Sequence, residues 1–187
     1  MRRLGILALL LLTVAVLPPL PAAPATAVEP GAGCHRTLAA YPVLEPGDRG
    51  RAVRALQCAL NDAGYGPVEV DGWYGPQTRR GVRRVEKTFE GDPPQPGRVN
   101  NGFWTLLYGR QLPSRVLETG DHGRAVKVLQ RALRAAGGDL VVDGRFGPQT
   151  RSVVKAYQRR WGYRPTGHTN QETVFMLAQG GVFGRLS

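Results

Sequence analysis

Apolar side chains fall into two registers along this chain: a continuous run from Leu4 to Leu17, broken only by Gly5 and Thr13, and later stripes at helical spacing. Val53, Leu56 and Leu60 stand at i, i+3 and i+7, with Ala52, Ala55 and Ala59 widening the face, which predicts an amphipathic helix. A second helix is expected after Gly75-Pro76, since proline in a first turn forfeits no hydrogen bond; its stripe is Val82, Val85 and Phe89. A short third helix, capped by Asn100 or Asn101, buries Trp104 and Leu107. Further on, Pro148 opens a helix carrying Val153, Val154, Tyr157 and Trp161, and Thr169 to Glu172 has capping-box spacing before Val174 and Leu177. Asp48 and Asp121 are placed to accept early N–H groups of the helices that follow them. Val68 to Val70 and Leu140 to Val142 are long enough for no more than strand fragments. The pattern predicts an all-α protein.

The stripes belong to a duplication. Leu44-Glu-Pro-Gly-Asp-Arg-Gly-Arg-Ala-Val53 recurs as Leu117-Glu-Thr-Gly-Asp-His-Gly-Arg-Ala-Val126, and Leu56-Gln57 recurs as Leu129-Gln130, at an offset of 73. Asp71-Gly-Trp-Tyr-Gly-Pro-Gln-Thr-Arg79 recurs as Asp143-Gly-Arg-Phe-Gly-Pro-Gln-Thr-Arg151 at an offset of 72. Two tandem three-helix units follow, residues 43–110 and 116–187, joined by a linker at 111–115. Each core is near the lower size limit for independent folding, so mutual packing or a covalent staple is expected to help.

The leading apolar run follows Arg2 and Arg3, stops at Pro18-Pro19, and precedes the small residues Ala25-Thr26-Ala27. That order predicts a signal peptide over residues 1–27, then an N-terminal extension over 28–42, and no transmembrane segment. A secreted protein, extracellular or associated with the cell wall, is expected. The net charge is +11; losing Arg2 and Arg3 leaves 23 basic against 14 acidic residues, or +9. Such a chain accumulates at anionic surfaces, here wall polymers, while export argues against nucleic acid as partner.

Cys34 and Cys58 are the only cysteines, and an even count in an exported chain favours a disulfide. On the helix wheel Cys58 lies with Arg51 and Arg54, away from the core stripe, and its counterpart in the second copy is Arg131. A bridge would therefore pin the N-terminal segment, with Tyr41, across the outside of the first helix. Closing a loop of that length stabilises by roughly 3 kcal/mol. Lipidation of Cys34 and a catalytic thiol are the alternatives. Gly31-Ala32-Gly33 lacks the leucine that lipidation would require, and only His35 adjoins Cys34, with no patterned Asn or Asp.

The repeated signature is Gly-Asp-x-Gly-x-x-Val-x-x-Leu-Gln, then Asp-Gly-x-aromatic-Gly-Pro-x-Thr, then a last short helix. It resembles the three-helix peptidoglycan-binding domain (PGBD-like) that accompanies many wall hydrolases. The resemblance spans nearly all of the mature chain and implies binding of peptidoglycan, through its glycan or its stem peptide. Copy two keeps the pattern best, with Tyr157-Gln158 and Thr173; copy one has Glu86, Phe103 and an enlarged loop from Glu90 to Pro96 at the matching places. Asp71, Gly72, Asp143 and Gly144 read as turn residues. The candidates for ligand contact are Trp73 and Tyr74 in copy one, Arg145 and Phe146 in copy two, then Tyr65 and Gln158. Aromatic faces stack on sugars and an arginine fork grips carboxylates.

No catalytic or metal-binding set is expected. His35, His122 and His168 are far apart and without ligand spacing, no cofactor is implied, and the repeats use up the sequence. A protein-binding or inhibitory role on the same scaffold is the alternative to wall binding, and a wall hydrolase a more remote one.

Overall fold

The computed structural model describes residues 33–89 and 95–184; the predicted signal peptide, the start of the N-terminal extension and part of the enlarged loop lie outside the described residues. The described residues form six helices and no strand: α1 Arg51–Asp62, α2 Pro76–Glu86, α3 Asn101–Gly109, α4 Arg124–Ala135, α5 Pro148–Arg160 and α6 Gln171–Ala178. The first three make copy one and the last three copy two.

The predicted stripes face inward in the main, though Phe89, Val153, Trp161 and Val174 are only half-buried. Val53, Leu56 and Leu60 of α1, Val82 and Val85 of α2, and Val126, Leu129 and Leu133 of α4 are fully buried. Pro76 and Pro148 occupy first-turn positions as expected. Two local expectations need correction. Asp48 and Asp121 do not cap α1 and α4: their Oδ2 atoms accept the N–H groups of Glu45 and Glu118, at 2.8 and 3.0 Å. Gly50 and Gly123, at φ of 110° and 99°, turn the chain between each aspartate and its helix. Second, α6 is capped by Asn170, whose side chain accepts from the Thr173 N–H, not by Thr169. Thr169 is buried, and its hydroxyl accepts from the Leu117 N–H at 2.7 Å. Val68–Val70 and Leu140–Val142 form no strand, within the limit their length sets; among the described residues extended pairing occurs as isolated bridges Leu44–Val99, Arg49–Trp73 and His122–Arg145.

The two copies share one core, centred on α3. Every residue from Gly102 to Gly109 is buried, because α1, α4 and α6 all pack against this helix. An all-round apolar helix needs such enclosure. Two close approaches set the spacing to α6 and the segment after it. A Cβ on Gly109 would overlap the backbone of Leu177 and Ala178, and one on Gly180 would lie 2.6 Å from the Gly102 carbonyl oxygen.

The N-terminal segment closes the assembly as a strap. Cys34 is bonded to Cys58, and Arg36 forms an ion pair with Asp62, both on α1. The strap then reaches copy two: Arg131 donates to the Thr37 hydroxyl and Arg134 to the Leu38 carbonyl, each at 3.0 Å. Over α3, the Tyr108 hydroxyl donates to the Arg36 carbonyl (2.8 Å) and the Trp104 indole N–H to the Pro42 carbonyl (2.9 Å). Tyr41 is buried against both rings, at centroid distances of 5.2 and 5.5 Å. Burial pushes the Tyr108 phenol well above its ordinary titration range. The disulfide thus pins the segment over α1 as the helix wheel predicts, and Arg131, the counterpart of Cys58, holds the same strap from the second copy.

Candidate functional site

In each copy a buried glutamine builds the turn that carries a candidate residue. Gln57 Nε2 donates to Asp71 Oδ1 (2.6 Å), the Trp73 carbonyl (3.0 Å) and Thr78 Oγ1 (3.0 Å), while its Oε1 accepts the Gly72 N–H (2.9 Å). Gln130 makes the same four bonds to Asp143, the Arg145 carbonyl, Thr150 and the Gly144 N–H, at 2.8 to 3.1 Å. Asp71 and Asp143 also accept the N–H two residues on, at 2.8 Å. That bond, with the glutamine's, holds the Asp143 carboxyl below the usual carboxylate range. A side chain with both donor and acceptor is needed here, so Gln130→Leu should cost about 2–3 kcal/mol by stranding the buried Gly144 N–H and removing the donor to Asp143 and the Arg145 carbonyl. Thermal denaturation followed by circular dichroism measures this; a melting temperature equal to wild type would show that the clamp contributes nothing.

These clamps hold Trp73 and Arg145 outward at equivalent positions. Trp73 is 40% exposed, its ring 5.1 Å from the Arg49 guanidinium and against Gly75, where a Cβ would lie 2.6 Å from the ring. Arg145 is exposed beside His122. The other candidates are not presented in this way. Tyr74 and Phe146 are core residues, 1% and 2% exposed, and the Tyr74 hydroxyl donates to the Gly97 carbonyl. Gln158 is fully buried and acts as a third clamp, accepting the Gly167 N–H and donating to Thr166, the His168 carbonyl and Thr173. Its polar atoms are all used within the fold. Tyr65 is half-buried, with its hydroxyl accepting from Arg110 at 2.6 Å.

A concave surface that sequence reasoning missed lies where the copies meet. It is a groove of about 640 Å³ bounded by Phe89, Phe103 and Leu106 of copy one and by Phe175 and Gln179 of copy two. Glu86, Arg98 and Arg110 bring charge to it. Phe175 is 56% exposed. The signal was present at positions 86 and 103, where copy one departs from copy two. It reads as loss of a pattern until the second copy supplies the opposite wall. Among the described residues no three His, Cys, Asp or Glu side chains are grouped to hold a metal ion, and no helix is long and apolar enough to cross a membrane.

Comparison with known proteins bears on both copies. The family model described as "Putative peptidoglycan binding domain" matches residues 49–106 and again 122–177. An uncharacterised protein encoded in the bpoA1 3' region of Kitasatospora aureofaciens is 38% identical over 61 residues, 32% of this chain. The match takes in about half of that relative's length, 52%. Among solved structures, a fused zinc-dependent amidase/peptidase/peptidoglycan-binding domain protein from Clostridium acetobutylicum is 30% identical. It covers 36% of this chain and 30% of its own, with a TM-score of 0.34.

Proposed function

Because the chain belongs to the peptidoglycan-binding domain family through both of its repeats, we propose that it is an exported, non-catalytic protein that binds bacterial cell-wall peptidoglycan. The observation that carries this reading is the double family match, at residues 49–106 and 122–177. Export is supported by the N-terminal apolar run and by the Cys34–Cys58 bridge, which suits an oxidising compartment. A non-catalytic role is supported by the way the polar clusters are spent. Gln57, Gln130 and Gln158, with their aspartates and threonines, hold turns together, and the two cysteines are joined to each other. The exposed Arg79, Arg80 and Arg83 of α2 add attraction toward anionic wall polymers.

Trp73 and Arg145 are the side chains best placed to touch wall. Both are exposed, held by rigid turns, and chemically suited to sugar faces and stem-peptide carboxylates. The double variant Trp73→Ala/Arg145→Ala should keep its melting temperature and lose about tenfold or more in retention on purified sacculi, the size expected for truncating exposed anchor residues. Unchanged retention would remove these turns from the binding surface. Dye release from labelled sacculi tests the non-catalytic reading, and any release above buffer would overturn it.

A further inference from the structure

We propose that the groove between the copies binds a free ammonium group on a short peptide, with the Glu86 carboxylate as its acceptor. The comparison of the two copies carries the inference. In copy two, Gln158 occupies this position and satisfies both ends of its amide: Oε1 accepts the Gly167 N–H, while Nε2 donates to Thr166 Oγ1, the His168 carbonyl and Thr173 Oγ1. In copy one Glu86 keeps only the first bond, accepting the Gly97 N–H at 2.6 Å. Its second oxygen has no hydrogen bond among the described residues.

The surroundings have changed with it. Pro96 stands where copy two has Thr166, and Phe103 where it has Thr173. Either hydroxyl could have donated to a carboxylate; neither replacement can. Glu86 is nevertheless only 7% exposed. A carboxylate with one partner has acceptor capacity left for a donor arriving from outside. Among the described residues neither Arg98 nor Arg110 bonds Glu86, and the buried Arg98 Nε makes no hydrogen bond. Arg98 pairs with Glu45 at 3.5 Å and bonds Gln95, and Arg110 donates to the Tyr65 and Thr88 hydroxyls at 2.6 Å.

Charge and shape together describe the ligand. The ammonium meets Glu86 in a groove that Phe103 and Phe175 also line, and aromatic side chains favour a cation. A carboxylate on the same ligand residue faces Arg98 or Arg110, which line the groove. An amino-acid end bearing both groups fits, and a wall stem peptide ending in diaminopimelate presents such an end. The assignment deepens the wall-binding reading and rests on it.

The test is a titration of the mature protein with the tripeptide L-alanyl-γ-D-glutamyl-diaminopimelate, followed by amide chemical shifts. Saturable shifts at Gly97 and Phe103 are expected in the wild type. Glu86→Gln keeps the acceptor for the Gly97 N–H, as Gln158 does for Gly167, and should fold with an unchanged melting temperature. It should bind at least about tenfold more weakly, the loss of one charge-assisted hydrogen bond, as should tripeptide acetylated on the diaminopimelate amine, whereas acetylation of the alanine amine alone should leave affinity unchanged. Equal affinity of Glu86→Gln, or of the peptide acetylated on the diaminopimelate amine, would overturn the proposal. Retention of wild type on sacculi without response to the peptide would sink the groove and leave wall binding standing. Neither retention nor response would sink both.

Discussion

Gly109→Leu is expected to destabilise the whole molecule by about 3 kcal/mol or more, since a side chain there cannot be housed without moving α6 away from α3. A Cβ alone would overlap the backbone of Leu177 and Ala178, and backbone cannot rotate aside as a flexible side chain would. The damage does not stay local. Helix α3 is enclosed by α1, α4 and α6 together, so separating it from α6 exposes one side of the shared core. For a chain of this size the melting temperature should fall by about 6–12 °C. Gly184→Ala is the control, because nothing lies within 4 Å of a Cβ there, and it should melt with the wild type. If Gly109→Leu also melted with the wild type, the two copies would not depend on each other for stability.

Breaking the Cys34–Cys58 bridge should have a comparable effect by a different route. The bridge closes a loop across a sequence separation of 24, and its loss returns about 3 kcal/mol of conformational freedom to the unfolded chain. It also releases one end of the strap that Arg131 and Arg134 hold from copy two. Cys34→Ala/Cys58→Ala should therefore melt lower by about 6–12 °C. Its tryptophan emission should shift to longer wavelength as water reaches Trp104, which the strap covers through Tyr41 and the Pro42 carbonyl. Unchanged melting and emission would mean that the polar contacts of the strap hold it without the bridge.

Much of this architecture is legible in the sequence because it is local. The stripe Val53, Leu56, Leu60 and the prolines at positions 76 and 148 each define a helix without reference to anything distant, and the repeat doubles every such signal. The disulfide is legible too, since Cys58 breaks the polar face of α1 at a position where copy two has Arg131. The caps are less legible: Asp48 and Asp121 stand before their helices as capping residues do, yet the positive-φ Gly50 and Gly123 turn their carboxylates back onto Glu45 and Glu118. Tandem docking is the least legible, because it depends on surfaces far apart in sequence. Trp104, Leu106, Leu107 and Tyr108 make α3 apolar on all sides, a sign that one three-helix unit cannot cover it. Its partner face on α6 carries no such mark.

The candidate contacts divide for a related reason. A recurring motif mixes residues that hold a turn with residues that the turn displays, and spacing does not separate them. Gln158, Tyr74 and Phe146 are scaffold, whereas Trp73 and Arg145, which differ between copies, are displayed. Glu86 is a third kind, a scaffold position whose chemistry has changed while its burial has not.

Co-sedimentation of the mature wild-type protein with purified sacculi stripped of anionic polymers tests wall binding most directly. The comparison should be made at about 0.15 M salt and again at several times that concentration, where the screening length falls well below its value of about 8 Å. Recognition of peptidoglycan predicts saturable retention that persists at the higher salt. Protein left in the supernatant, or released entirely by the added salt, would reduce the interaction to the charge of a basic protein and contradict the proposed function.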